Sequence, residues 1–156
     1  MTKSYRVRMP GEGPNYDWSN DHTFVKVSAA DTGGAYILIE DNLKATFALG
    51  LHRHDHHTET FYILEGGLDF YLDGDWISAV PGTTIHVPAG VPHACRVADA
   101  KPAKALMIMQ PSGFDAFLAE MATMKPADFE DPEVMAALNS KHDIVPMGPL
   151  PEHPDD

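Results

Sequence analysis

From residue 35 to residue 109 the chain is a series of short β-rich runs closed off by glycine, proline or aspartate, and this rhythm limits the fold more than any other feature. The runs are 35–39, 45–49, 61–64, 68–72, 76–80, 83–87, 91–97 and 105–109, with Asp73-Gly74 supplying a tight hairpin turn between the fourth and fifth. Short strands spaced this closely, with turn residues between them, predict an all-β sandwich or barrel. No long helical pattern interrupts them, which argues against a parallel α/β sheet. The first thirty or so residues are polar and read as an irregular N-terminal arm.

After Pro111 the apolar period changes to that of a helix. Phe114, Phe117, Leu118 and Met121 share one face, with Ser112 as the expected N-cap. Asp131-Pro132 opens a second helix, with Val134, Ala137 and Leu138 as its apolar stripe. The tail from Pro149 is proline-rich and acidic and is expected to be loose. The chain thus divides into a β region over 1–110 and a C-terminal helical extension with an acidic tail over 111–156, both within one domain.

Composition removes several classes of function. The net charge is −12, with ten of the 23 acidic residues after position 110, so no basic stripe exists for a nucleic-acid backbone. One cysteine, Cys95, rules out an internal disulfide framework and any multi-cysteine metal site. No apolar run approaches the ~20 residues of a membrane span, and the N-terminus lacks a secretory signal pattern, so a cytoplasmic location is expected.

The chemistry concentrates in His52-Arg53-His54-Asp55-His56-His57-Thr58-Glu59. On a strand His52 and His54 point to one face. Glu59 has the opposite parity and joins that face only if a turn over 55–58 resets the alternation, after which Glu59, Phe61 and Ile63 point inward. Pro88-Ala89-Gly90 makes a second turn, which delivers His93 onto a strand with Val91, Cys95 and Val97 on the same parity. Two imidazoles with a carboxylate, and a third imidazole in reach, suit iron, manganese, nickel, cobalt or zinc. His56 and His57 read as residues of a solvated turn, His86 as a hydrogen-bonded structural histidine, and Cys95 as a small buried hydrophobe. Tyr36, Tyr62, Phe70 and Trp76 read as packing residues.

These residues resemble the cupin superfamily. Its first motif, G-x5-H-x-H-x3–4-E-x6-G, fits His52-x-His54-x4-Glu59-x6-Gly66, and its second, G-x5-P-x-G-x2-H-x3-N, fits Gly82-x5-Pro88-x-Gly90-x2-His93. Thr46 stands where the leading glycine would fall, and Val97 replaces the closing asparagine. Pro111-Ser112-Gly113-Phe114 and Lys141-His142-Asp143-Ile144-Val145 look like the quercetin-dioxygenase-like branch of small single-domain members. The resemblance implies a jelly-roll barrel (a double-stranded β-helix) over 1–110, a homodimer, and a divalent transition metal on His52, His54, Glu59 and His93. It further implies a dioxygenase acting on a small enolic or phenolic substrate, with Glu59 as proton acceptor. A metal-dependent lyase or isomerase of a small carboxylate or carbonyl compound, and a non-catalytic small-ligand binder, are the alternatives the same site allows.

Overall fold

The computed structural model describes residues 5–156; the first four residues of the expected N-terminal arm lie outside it. Strands and helices run in the order β1 (Asn15–Asp17), β2 (Asp21–Val27), α1 (Ala29–Thr32), β3 (Ile37–Leu43), β4 (Ala48–Arg53), β5 (Thr58–Glu65), β6 (Leu68–Leu72), β7 (Asp75–Ala79), β8 (Thr84–Val87) and β9 (His93–Val97). A short 3-10 turn (Ala98–Ala100) leads into β10 (Ala103–Gln110), α2 (Phe114–Met121), α3 (Pro126–Phe129), α4 (Pro132–Lys141) and β11 (Val145–Gly148). A six-stranded sheet has the order β1-β2-β3-β10-β5-β8 and a five-stranded sheet the order β11-β4-β9-β6-β7, with antiparallel pairing throughout.

The closed all-β jelly-roll barrel expected from the sequence is not formed. The fold is a mixed α/β, cupin-like arrangement of two open antiparallel sheets, and among the described residues neither sheet closes on itself. The cause lies in how the inner face of the larger sheet is covered. Its β5–β8 half packs Ile63, Ile85 and Val87 against Phe70, Cys95 and Val97 of the smaller sheet. Its β2–β3 half instead packs Val25, Ile37, Ile39, Met107 and Met109 against Phe117, Leu118 and Leu138 of α2 and α4. There the sheet is covered by helices and not by strands.

Other expectations shift in detail. The arm holds β1, β2 and α1, and Ser28 caps α1 with Asp31 in a reciprocal capping box. Gly113, not Ser112, occupies the N-cap of α2, whereas Asp131 caps α4 as expected, its carboxylate accepting from Glu133 and Val134 N–H. On α4 only Leu138 is buried while Val134 stays exposed, because the helix meets the core at Met135 and Leu138. The acidic tail is tied down: Trp76 Nε1 donates to the Glu152 carbonyl, and Arg96 donates to the Asp156 carboxylate at 2.9 Å.

Asp41 sits on the inner face of β3, in the row of Ile37, Ile39 and Leu43, and accepts from the Thr23 hydroxyl at 3.1 Å. Burial, and after it the charge of Asp21, push its carboxyl up to about 7. The folded state therefore favours the protonated acid, so this group's contribution is full below the ordinary carboxylate pKa and is lost as pH rises through 7. Asp41→Asn keeps a neutral group at every pH. In urea titrations the variant should be more stable than the parent by up to about 4 kcal/mol at pH 8, with the difference vanishing near pH 4.

Candidate metal centre

His52 lies near the end of β4 and pairs with His93, the first residue of β9, across the five-stranded sheet. The opposite neighbour of His93 is Leu72 on β6. Glu59 comes from the other sheet, on β5 between Met109 and Val87. β4 ends at Arg53 and β5 begins at Thr58, so the intervening turn resets the alternation, and Glu59, Phe61 and Ile63 do share the inner face. His54 stands at the mouth of that turn, where its carbonyl accepts from Gly90 N–H at 2.7 Å and so ties the two motif turns together.

His52, His54, Glu59 and His93 are all buried, and each offers a donor atom within 4.8 Å of the others. The imidazole centroids of His52 and His93 are 4.3 Å apart, with His54 at 5.2 and 5.6 Å from them. Every ring is anchored by Nδ1 on a backbone carbonyl: His52 on Gly50 at 2.8 Å, His93 on Val91 at 2.9 Å and His54 on Asp143 at 2.8 Å. A neutral imidazole whose Nδ1–H is so engaged presents an unprotonated Nε2, which is the form a metal takes.

The inner contacts agree with a cation at the centre. Nε2 of His93 is 2.7 Å from Glu59 Oε2, and Nε2 of His54 is 3.4 Å from the same oxygen, in close ionic contact but without hydrogen-bond geometry. With each Nδ1 engaged on a carbonyl, both Nε2 atoms point at the carboxylate, and in the metal-free protein a proton holds ring and carboxylate together: burial works against the charge of His54, but its contacts with Glu59 outweigh that and raise its pKa. That convergence is costly in an apolar interior unless a positive charge sits among them. His54 Nε2 is a buried nitrogen with no hydrogen-bond partner, as a waiting ligand atom would be.

The electrostatics follow the same layout. Burial, then the neighbouring His93, push His52 down to about 4, which keeps its ring neutral. Burial also works against the charge of Glu59, but the contacts with His54 and His93 outweigh it and hold the carboxyl well below the usual range. Burial, then Glu59 and Asp41, push the Cys95 thiol up, so it is an inert core group.

The remaining histidines divide. His56 is exposed. His86 accepts or donates to the Thr60 hydroxyl at 2.8 Å on the outer face, a structural contact. His57 departs from the expected solvated turn: its Nδ1 is 2.6 Å from Asp143 Oδ2, and only 15% of its side chain is exposed. Asp143 lies in the Lys141–Val145 stretch that carries part of the resemblance, but nothing in its spacing predicts contact with residues 86 to 89 positions earlier. A groove of about 730 Å³ opens elsewhere, where Asp69, Ser78 and Arg96 meet the tail at the far ends of β6 and β9. His93 and Arg96 are three residues apart on β9, roughly 10 Å, so the groove is separate from the cluster.

The family model for the cupin domain matches residues 43–109, which contain all four clustered side chains. Residues 43–109 are a cupin domain. The chain is 31% identical over 107 residues to quercetin 2,3-dioxygenase of Bacillus subtilis (strain 168), a match over 69% of its length. The chain spans about a third, 32%, of that relative's length. Among solved structures, an RmlC-like cupin from Shewanella frigidimarina superposes with a TM-score of 0.62 at 15% identity, over 74% of this chain and 99% of the other. A predicted oxalate decarboxylase from Thermotoga maritima gives 0.61 at 20% identity, over 68% and 99%. These likenesses are of fold. Among the described residues, no helix is long and apolar enough to cross a membrane.

Proposed function

We propose that this protein is a metal-dependent dioxygenase of a small enolic or phenolic substrate, with His52, His54, Glu59 and His93 as its metal ligands. The observation that carries the reading is the set of three Nδ1-anchored imidazoles and one carboxylate turned inward on one point. The named activity of the Bacillus subtilis relative favours oxygen chemistry over other cupin reactions. A redox-active divalent ion bound there would supply a Lewis acid for the substrate oxygen and electron exchange with dioxygen.

The protein's own groups would do the rest. The three rings are fixed by backbone carbonyls, so they hold their angles as substrate arrives. Glu59 would loosen from the ion and accept the hydroxyl proton of the substrate on its carboxylate. Leu72 pairs with His93, and Phe61 and Ile63 follow Glu59 on the inner face of β5, so the cluster borders the apolar core. The resemblance also implies a homodimer, for which light scattering at micromolar concentration should give twice 17.1 kDa.

The decisive experiment loads metal-free protein anaerobically with iron, manganese, nickel, cobalt or zinc and follows oxygen uptake with quercetin and smaller enols and phenols. Uptake should match substrate loss with the redox-active ions and be absent with zinc, which has no redox chemistry. Turnover without oxygen consumption would instead mark a lyase or isomerase, and tight binding without turnover a ligand-binding protein.

A further inference from the structure

We propose that Asp143 is the positioning residue of the metal-binding turn: its carboxylate and its own carbonyl together hold residues 54–57 so that His54 aims into the cluster. This rests on the metal-centre reading and adds to it a residue from the far end of the fold.

Four consecutive residues hang on this one side chain and its backbone. Oδ1 accepts from Asp55 N–H at 2.9 Å, Oδ2 accepts from His56 N–H at 2.8 Å and meets His57 Nδ1 at 2.6 Å, and the Asp143 carbonyl receives His54 Nδ1 at 2.8 Å. The carbonyl contact selects the tautomer of His54 and stops its ring from turning; the carboxylate contacts fix the turn on which that ring is mounted. Both functions come from a single residue because Asp143 is in the left-handed region, at φ 57°, which aspartate and asparagine enter more readily than other side chains. That conformation follows the end of α4 and precedes β11, whose Pro146 pairs with His52.

The same contacts join the turn to the helical extension. His57 sits between Asp143 and the approach to α2, its Nε2 3.4 Å from the Ser112 carbonyl, and a Cβ at Gly113 would lie 3.5 Å from that nitrogen. The extension therefore braces the ligand turn as well as covering the β2–β3 half of the sheet. It also explains how His54 Nε2 is kept buried and unpaired: the ring is gripped from behind.

Two variants separate the carboxylate from the backbone. Asp143→Gly keeps the left-handed conformation and the carbonyl while removing the carboxylate. Asp143→Asn keeps shape and conformation but sets an amide N–H₂ against the N–H donors of the turn, and carries the same readouts should the glycine variant unfold. Metal-free proteins would be titrated with Co²⁺ alone against a chelator, and the visible absorption of the saturated complex recorded. Both variants should bind about 10- to 100-fold more weakly, with shifted absorption bands because His54 meets the ion at a changed angle. Lys141→Ala breaks the 2.7 Å bridge to Glu120 in the same extension without touching the turn, and should keep parental affinity and bands. Parental affinity and bands in both Asp143 variants would overturn the inference, as would an equal loss in Lys141→Ala. A parent protein that binds no Co²⁺ would overturn the metal-centre reading itself, and this inference with it.

Discussion

Alanine at position 93 should lower metal affinity by at least ~100-fold, the share of one ligand in a four-ligand site. His52→Ala should do the same, and His56→Ala, on an exposed side chain one turn away, should leave the metal content unchanged. Metal analysis after dialysis against a fixed free-ion concentration reads all three. The His93 variant carries a second cost without metal. Its removal takes away the nearest partner of Glu59, at 2.7 Å, and leaves a buried carboxylate facing His54 alone. The metal-free variant should therefore lose about 2–3 kcal/mol of stability at neutral pH, less than the 3–5 typical of a broken buried pair because water can fill the vacated space. Equal metal loss from His56→Ala would mean that the ligand register is wrong.

Phe70→Ala should be the most damaging change away from the cluster. Phe70 is fully buried in the middle of β6, flanked by Ile77 and Cys95, with its ring 5.1 Å from that of Phe61 across the two sheets. Both sheets contribute rigid walls, so little can collapse into the space, and the cost falls at about 3–5 kcal/mol. For a domain of this size that corresponds to a fall in Tm of about 10 °C. The measurement belongs in chelator, because a bound ion stabilises whatever fraction folds and would mask part of the loss. A fall of only a degree or two would show that the interior between the sheets is loosely filled.

Much of the site could be read from the residues in order. His52 and His54 declare themselves by two-residue spacing, and the parity problem at Glu59 has one solution, a reset between strands, which the structure adopts. His93 follows from Pro88-Ala89-Gly90, whose Gly90 has φ 84° and donates back to His54. The closed barrel was a misreading with a physical origin. Alternating strands reveal that an inner face is buried, but not whether strands or helices cover it, and here α2 and α4 cover half of it. β1 and β2 were hidden because polar residues such as Asp21, His22 and Lys26 interrupt a strand whose buried positions are only Thr23 and Val25. Asp143 was illegible for another reason: its part depends on a left-handed backbone and contacts that cross 86 to 89 positions, which no local pattern encodes.

The pairing of β11 with β4 also sets an order of events during synthesis. At ordinary ribosomal speed the turn bearing His54 emerges on the order of ten seconds before Asp143, 89 positions later, can reach it. Through that interval the histidines are on a nascent chain without the proposed brace, and an ion bound early would be held loosely and could leave. On the proposed metal reading, firm metallation would thereby be deferred to the nearly finished polypeptide, and selection among competing ions would take place on a shaped site instead of a floppy histidine-rich ribbon.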